Sequence, residues 1–174
     1  MTDPLIGWRV WKIVRPCLRS WAVDYIYTPG ENTATCLRGV SCASPPGPGC
    51  ACGFWAVWDP WGAVGRAEVE HEPPWEVIGL IEGYGSVALH GDEGFRAQHA
   101  RVKCLFTDRL WKQQSLSLAG LGPLESPFSE LSATYGVPCI SLAVAIDSGF
   151  LAELGIPGNQ IEQAKKLVQM RAAA

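Results

Sequence analysis

Four cysteines crowd one glycine- and proline-rich segment, Cys36, Cys42, Cys50 and Cys52, in the spacing C-x5-C-x7-C-x-C. Pro45, Pro46 and Pro48 alternate there with Gly47, Gly49 and Gly53, which excludes a helix or a long strand. The segment has few apolar side chains, so burial alone does not hold its shape. Four thiolates around one tetrahedral zinc would. Cys50 and Cys52 stand too close in sequence to bridge each other easily, yet both can face one metal if the backbone turns at Gly49 or Gly53. The spacing is not that of a standard zinc finger. An iron–sulfur cluster and a metal-free loop therefore stay open beside zinc. Four thiolates would leave no position for water, so a zinc held here is expected to be structural rather than catalytic.

The redox reading follows from the other cysteines. Seven in total is an odd number, and the N-terminus places Asp3, Arg9 and Lys12 where a signal peptide needs a continuous apolar stretch. Reduced thiols in the cytoplasm are expected, with Cys17, Cys104 and Cys139 as small buried hydrophobes. The longest apolar runs, such as Leu142 to Ile146, are too short to span a bilayer, so no membrane association is expected. A net charge of −3 leaves no footprint for tight non-specific DNA binding.

Periodicity divides the chain at about residue 108. Residues 5–108 read as a tryptophan-rich antiparallel β domain that contains the Cys36–Cys52 loop; six of the eight tryptophans precede residue 62. Gly7 to Val14 alternates, with Trp8 and Val10 on one face and Trp11 and Ile13 on the other. Leu18 to Tyr27 alternates again, with Trp21, Val23, Tyr25 and Tyr27 on one face, and Arg15-Pro16 suits the connection. A third strand is expected from Gly53 to Trp58. Asp59-Pro60-Trp61-Gly62 has type I turn chemistry, and a return strand is expected from Ala63 to Val69. Trp75 to Glu82, Tyr84 to Leu89 and Phe95 to Phe106 read as strands, with a bulge or bend at Gly83 and Gly85 and a turn at Gly91 to Gly94. Residues 109–174 read as a mostly helical segment packed on this domain. One helix is expected from Ser126-Pro127 to Tyr135-Gly136, and a last one capped by Asn159 with Ile161, Ala164, Leu167 and Val168 inward. Ile140 to Ile146 suits strand or buried helix equally. The fold class expected is α+β.

Three blocks of the chain carry a resemblance. They are Gly7-Trp8-Arg9-Val10-Trp11; Cys42-Ala43-Ser44-Pro45 followed by Cys50-Ala51-Cys52-Gly53-Phe54-Trp55-Ala56; and Gly79 through Val87 and His90 to Gly94-Phe95-Arg96-Ala97. Over roughly residues 7 to 106 these resemble an uncharacterised family of small actinobacterial and actinophage proteins. That family has a Gly-Trp-Arg-x-Trp strand, a cysteine cluster ending Cys-x-Cys-Gly, and a His-x-x-Gly-aromatic-Arg-Ala hairpin. Where the family tends to show histidine, this chain has Cys42. His and Cys exchange readily as zinc ligands, which favours the metal reading. The resemblance implies a fold and a site, and no activity.

Other constellations are weaker. His90, Glu93 and Arg96 surround a tight turn and form a candidate recognition patch; a mutually paired, solvated hairpin is the plainer reading. His99 on the next strand raises a second metal site with His90, or a cysteine nucleophile assembled with either histidine. Glu68, Glu70, His71, Glu72 and Glu76 form an acidic strip, either a solvated strand edge or a docking surface. Residues 130–147 look superficially like a helix-turn-helix, but the second helix lacks any basic residue, which DNA reading needs. No GxSxG, phosphate loop or HExxH occurs. The function expected is a zinc-stabilised, non-enzymatic interaction or regulatory module with a protein partner. A nucleic-acid-associated zinc protein comes second. An enzyme with a Cys/His site at the 90–99 hairpin comes third.

Overall fold

The alternation that runs from residue 76 to 106 builds the longest pair of elements, β5 (Glu76–His90) and β6 (Gly94–Phe106), joined by the turn at Gly91 to Glu93. A computed structural model describes residues 3–36, 42, 44–67, 76–108 and 127–172. Five further strands join the sheet: β1 (Leu5–Val14), β2 (Cys17–Arg19), β3 (Glu31–Thr33), β4 (Phe54–Val57) and β7 (Cys139–Ile140). The helices are α1 (Pro60–Ala67), α2 (Pro127–Tyr135), α3 (Leu142–Asp147), α4 (Phe150–Glu153) and α5 (Gly158–Ala172). The class is α+β, as expected. None of these helices is long and apolar enough to cross a membrane.

β5 pairs with both β1 and β6, and β4 also pairs with both, so the four strands form a closed circuit. β6 is its platform. One edge carries β5; along the other lie β4 against residues 94–97, β3 against residues 99–101, and β7, in parallel, against Leu105 and Phe106. β5 is one strand rather than two. Its register shifts between Tyr84 and Val87, where Gly85 takes φ +79°, so the anticipated bulge is there.

The alternation of β1 separates two cores. Trp8 and Val10 join Ile78, Leu80 and Phe106 on the face covered by α1, α3, α4 and α5, where Leu142, Leu151, Ala164 and Leu167 are buried. Trp11 and Ile13 join Tyr27, Phe54, Ile81, Phe95 and Leu105, closed by Leu131 and Tyr135 of α2. Trp8 Nε1 donates to Gln160 Oε1 at 3.1 Å, a buried bond that ties α5 to the sheet.

Three further expectations need correction. Asp59 opens a helix, not a turn before a return strand: its carboxylate accepts from Gly62 N at 2.8 Å and Pro60 takes the first helical position. A type I turn and a first helical turn share nearly the same dihedrals, and burial of Ala63 and Val64 extends the helix. Leu18 to Tyr27 is not one strand. Ser20 N donates to Tyr25 O and Tyr27 N to Leu18 O, so the chain folds back at residues 21–24 without any glycine or proline to mark it. Asn159 lies inside α5; Ile161 N donates to Pro157 O, which places the cap earlier. Residues 130–147 form helix, strand, helix, with β7 built into the sheet between α2 and α3. Of the acidic strip, Glu68, Glu70, His71 and Glu72 lie outside the described residues, while Glu76 pairs in register with Lys12.

Candidate metal centre

β6 brings the cysteines together. Cys36 follows β3, and Ala34 N extends that pairing by donating to Gln98 O at 2.8 Å. Cys50 and Cys52 lead into β4, which pairs beside β3 on the same edge. Cys42 comes from the loop between. All four Sγ atoms lie within 4.8 Å of one another, with Cys36–Cys50 at 3.4 Å and Cys42–Cys52 at 3.2 Å. None is in a disulfide. A metal held at about 2.3 Å by four tetrahedral thiolates sets them about 3.8 Å apart. The donor set is therefore of the right size and kind to hold a metal ion.

Glycines let the loop close. A Cβ on Gly47 would stand 2.4 Å from that of Cys42, and Cys50 N donates to Gly47 O at 3.2 Å in the turn beneath it. Gly53 takes φ +106° at the point where the loop becomes β4. The thiols perturb one another. The hydrogen bond with Cys52 and desolvation push Cys42 up to about 12, and Cys50 is raised by its bond with Cys52. Cys52 is lowered: burial raises it, but hydrogen bonds from the Gly47 backbone, Cys50 and Cys42 outweigh that. A cation would replace the shared protons that keep four thiols in contact.

The turn residues stand differently from the patch they suggested. Arg96 is only 8% exposed, so the hairpin is not wholly solvated. Arg96 Nη1 donates to the carbonyls of Cys50 and of Cys52, the latter at 3.0 Å. Its Nε donates to His90 Nε2 at 2.8 Å, and Trp55 stacks on His90 with ring centres 4.4 Å apart. His90 and Arg96 thus sit beside the cysteine loop and brace it. Glu93 is exposed and closes the turn through its backbone, donating to His90 O and accepting from Trp58 N. The bracing role of Arg96 had no signal in the sequence, because it depends on the register that sets Trp55 opposite Arg96.

The other histidine and cysteines do not converge. His99 lies opposite Tyr84, well along β6 from His90, and contacts Thr33 Oγ1 at 3.1 Å and Glu31 at 3.7 Å. The four cysteines are the one metal-ligating group of its kind among the described residues. Cys104 is fully buried, and desolvation pushes its thiol up to about 12, which disfavours the thiolate. Cys17 and Cys139 are half-buried rather than buried. No hydrogen bond joins Cys104 or Cys139 to a histidine among the described residues.

No family model, curated protein or solved structure matches this chain.

Proposed function

We propose that Cys36, Cys42, Cys50 and Cys52 hold one structural zinc, and that the protein is a non-enzymatic interaction or regulatory module built on that staple. The observation that carries this is the convergence of four thiols in a loop with little apolar support. A filled thiolate sphere has no place for a reacting water, which favours a scaffold over a catalyst. The partner we propose is a protein that docks on the hairpin tip, where Leu89 and Glu93 are exposed and His90 and Arg96 hold the strands rigid beneath. Seven free thiols suit a reducing compartment, the cytoplasm.

Cobalt substitution tests the site. Cobalt(II) in four thiolates gives intense visible absorption that octahedral cobalt lacks, and zinc should bleach it stoichiometrically. A weak octahedral spectrum would sink the four-thiolate site. A brown, iron-containing protein as purified would replace zinc with an iron–sulfur cluster.

A further inference from the structure

Four cysteines admit three ways of pairing into two disulfides, and the geometry of the cluster distinguishes them. Cys36 Sγ lies 3.4 Å from Cys50 Sγ, and Cys42 Sγ lies 3.2 Å from Cys52 Sγ. Both distances are shorter than the roughly 3.8 Å between thiolates around one tetrahedral metal. The two contacts share no sulfur, so together they use all four thiols. Each pair needs to close by roughly 1 Å to reach the length of a disulfide bond. The pairing that joins Cys50 to Cys52 is opposed by sequence, since only Ala51 separates them.

The thiols are reachable, and the loop has anchors that do not depend on sulfur. All four are half-buried, whereas Cys104 is fully buried. Arg96 holds the loop by the backbone carbonyls of Cys50 and Cys52 rather than by their side chains. Phe54 to Val57 pair with β6 directly after the loop, and Ala34 N donates to Gln98 O at 2.8 Å just before it. These bonds persist whether the sulfurs face a metal or one another. Disulfides at the two close pairs would also join the same segments of chain that a shared metal joins.

We propose that the cluster is a reversible, peroxide-sensitive zinc switch, in which Cys36 pairs with Cys50 and Cys42 with Cys52 as the metal leaves. This rests on the four-thiolate zinc reading above. In each pair one thiolate sulfur attacks an oxygen of hydrogen peroxide; the O–O bond breaks, hydroxide leaves and a sulfenic acid forms. The partner thiolate attacks that sulfur; the S–S bond forms, the S–O bond breaks and a second hydroxide leaves. Over both pairs, four thiolates are oxidised, two peroxides are reduced and zinc departs as the divalent ion. A dithiol reductant reverses the exchange, and the restored thiolates take up zinc again.

Titration of the intact, zinc-loaded protein with hydrogen peroxide, in the presence of a chromogenic zinc chelator, tests this. One zinc per chain should be released for about two peroxides consumed. Tandem mass spectrometry of unreduced peptides should find Cys36–Cys50 and Cys42–Cys52, with Cys104 still a thiol. Dithiothreitol followed by zinc should restore the bound metal. Retention of zinc under peroxide, either of the other two pairings, sulfinic acids in place of disulfides, or release that dithiothreitol does not reverse would overturn the proposal. Zinc content measured before peroxide separates the two readings. A chain that never held zinc fails the metal site and the switch with it; a chain that holds zinc and keeps it fails the switch alone.

Discussion

The carbonyls on either side of Ala51 share one donor, the Arg96 guanidinium, which also reaches His90. Groups that orient metal ligands without touching the metal commonly alter affinity by about 10–100-fold. Arg96→Lys keeps the charge but not the planar fork, so it should lower zinc affinity by about tenfold or more in a chelator competition. An unchanged affinity would make Arg96 a packing residue only. The cysteines divide in the same way. Cys52→Ser should remove a ligand and lower Tm by about 10 °C or more, whereas Cys139→Ser, half-buried and away from the cluster, should cost about 1 kcal/mol. Equal losses in paired thermal melts would count against the assignment. At this scale the convergence of the four cysteines was legible in the sequence, because they crowd one short glycine–proline loop. The brace was not, because it rests on pairing between residues about forty positions apart.

Elements whose apolar period and end signals agree were readable: β1, β6 and α2 (Pro127–Tyr135), after which Gly136 takes φ +63°. Those that were misread had local signals with two solutions. Asp-Pro-x-Gly serves a turn or a helix start, and burial of Ala63 and Val64 decides for α1. The fold-back at residues 21–24 carries alternation straight through a turn. The balance between caps and packing is measurable. Asp59→Ala should cost about 1 kcal/mol through loss of the α1 cap. Leu167→Ala should cost about 2–5 kcal/mol, since Leu167 is fully buried in α5 against the sheet's helical face. If chemical denaturation ranks the two in reverse, α5 is not held by its buried face.

For the whole molecule, the sheet's closed circuit places the cysteine loop and the bracing arginine around one short strand, β4. Arg9 and Arg96 each donate to carbonyls in the stretch from Cys50 to Trp55, so it is held by two charged anchors as well as by its own pairings. With a net charge of −3 and α3 free of basic residues, fluorescence anisotropy with random duplex DNA should show no tight complex at physiological salt. A nanomolar, salt-sensitive complex would contradict this. The central claim is that the four thiolates staple the fold through one metal. Native and denaturing mass spectrometry of protein purified without chelator tests it most directly. The native mass should exceed the denatured mass by one zinc, and the excess should vanish in Cys52→Ser. A native mass equal to that of the bare chain, with the cysteine loop still ordered, would contradict it.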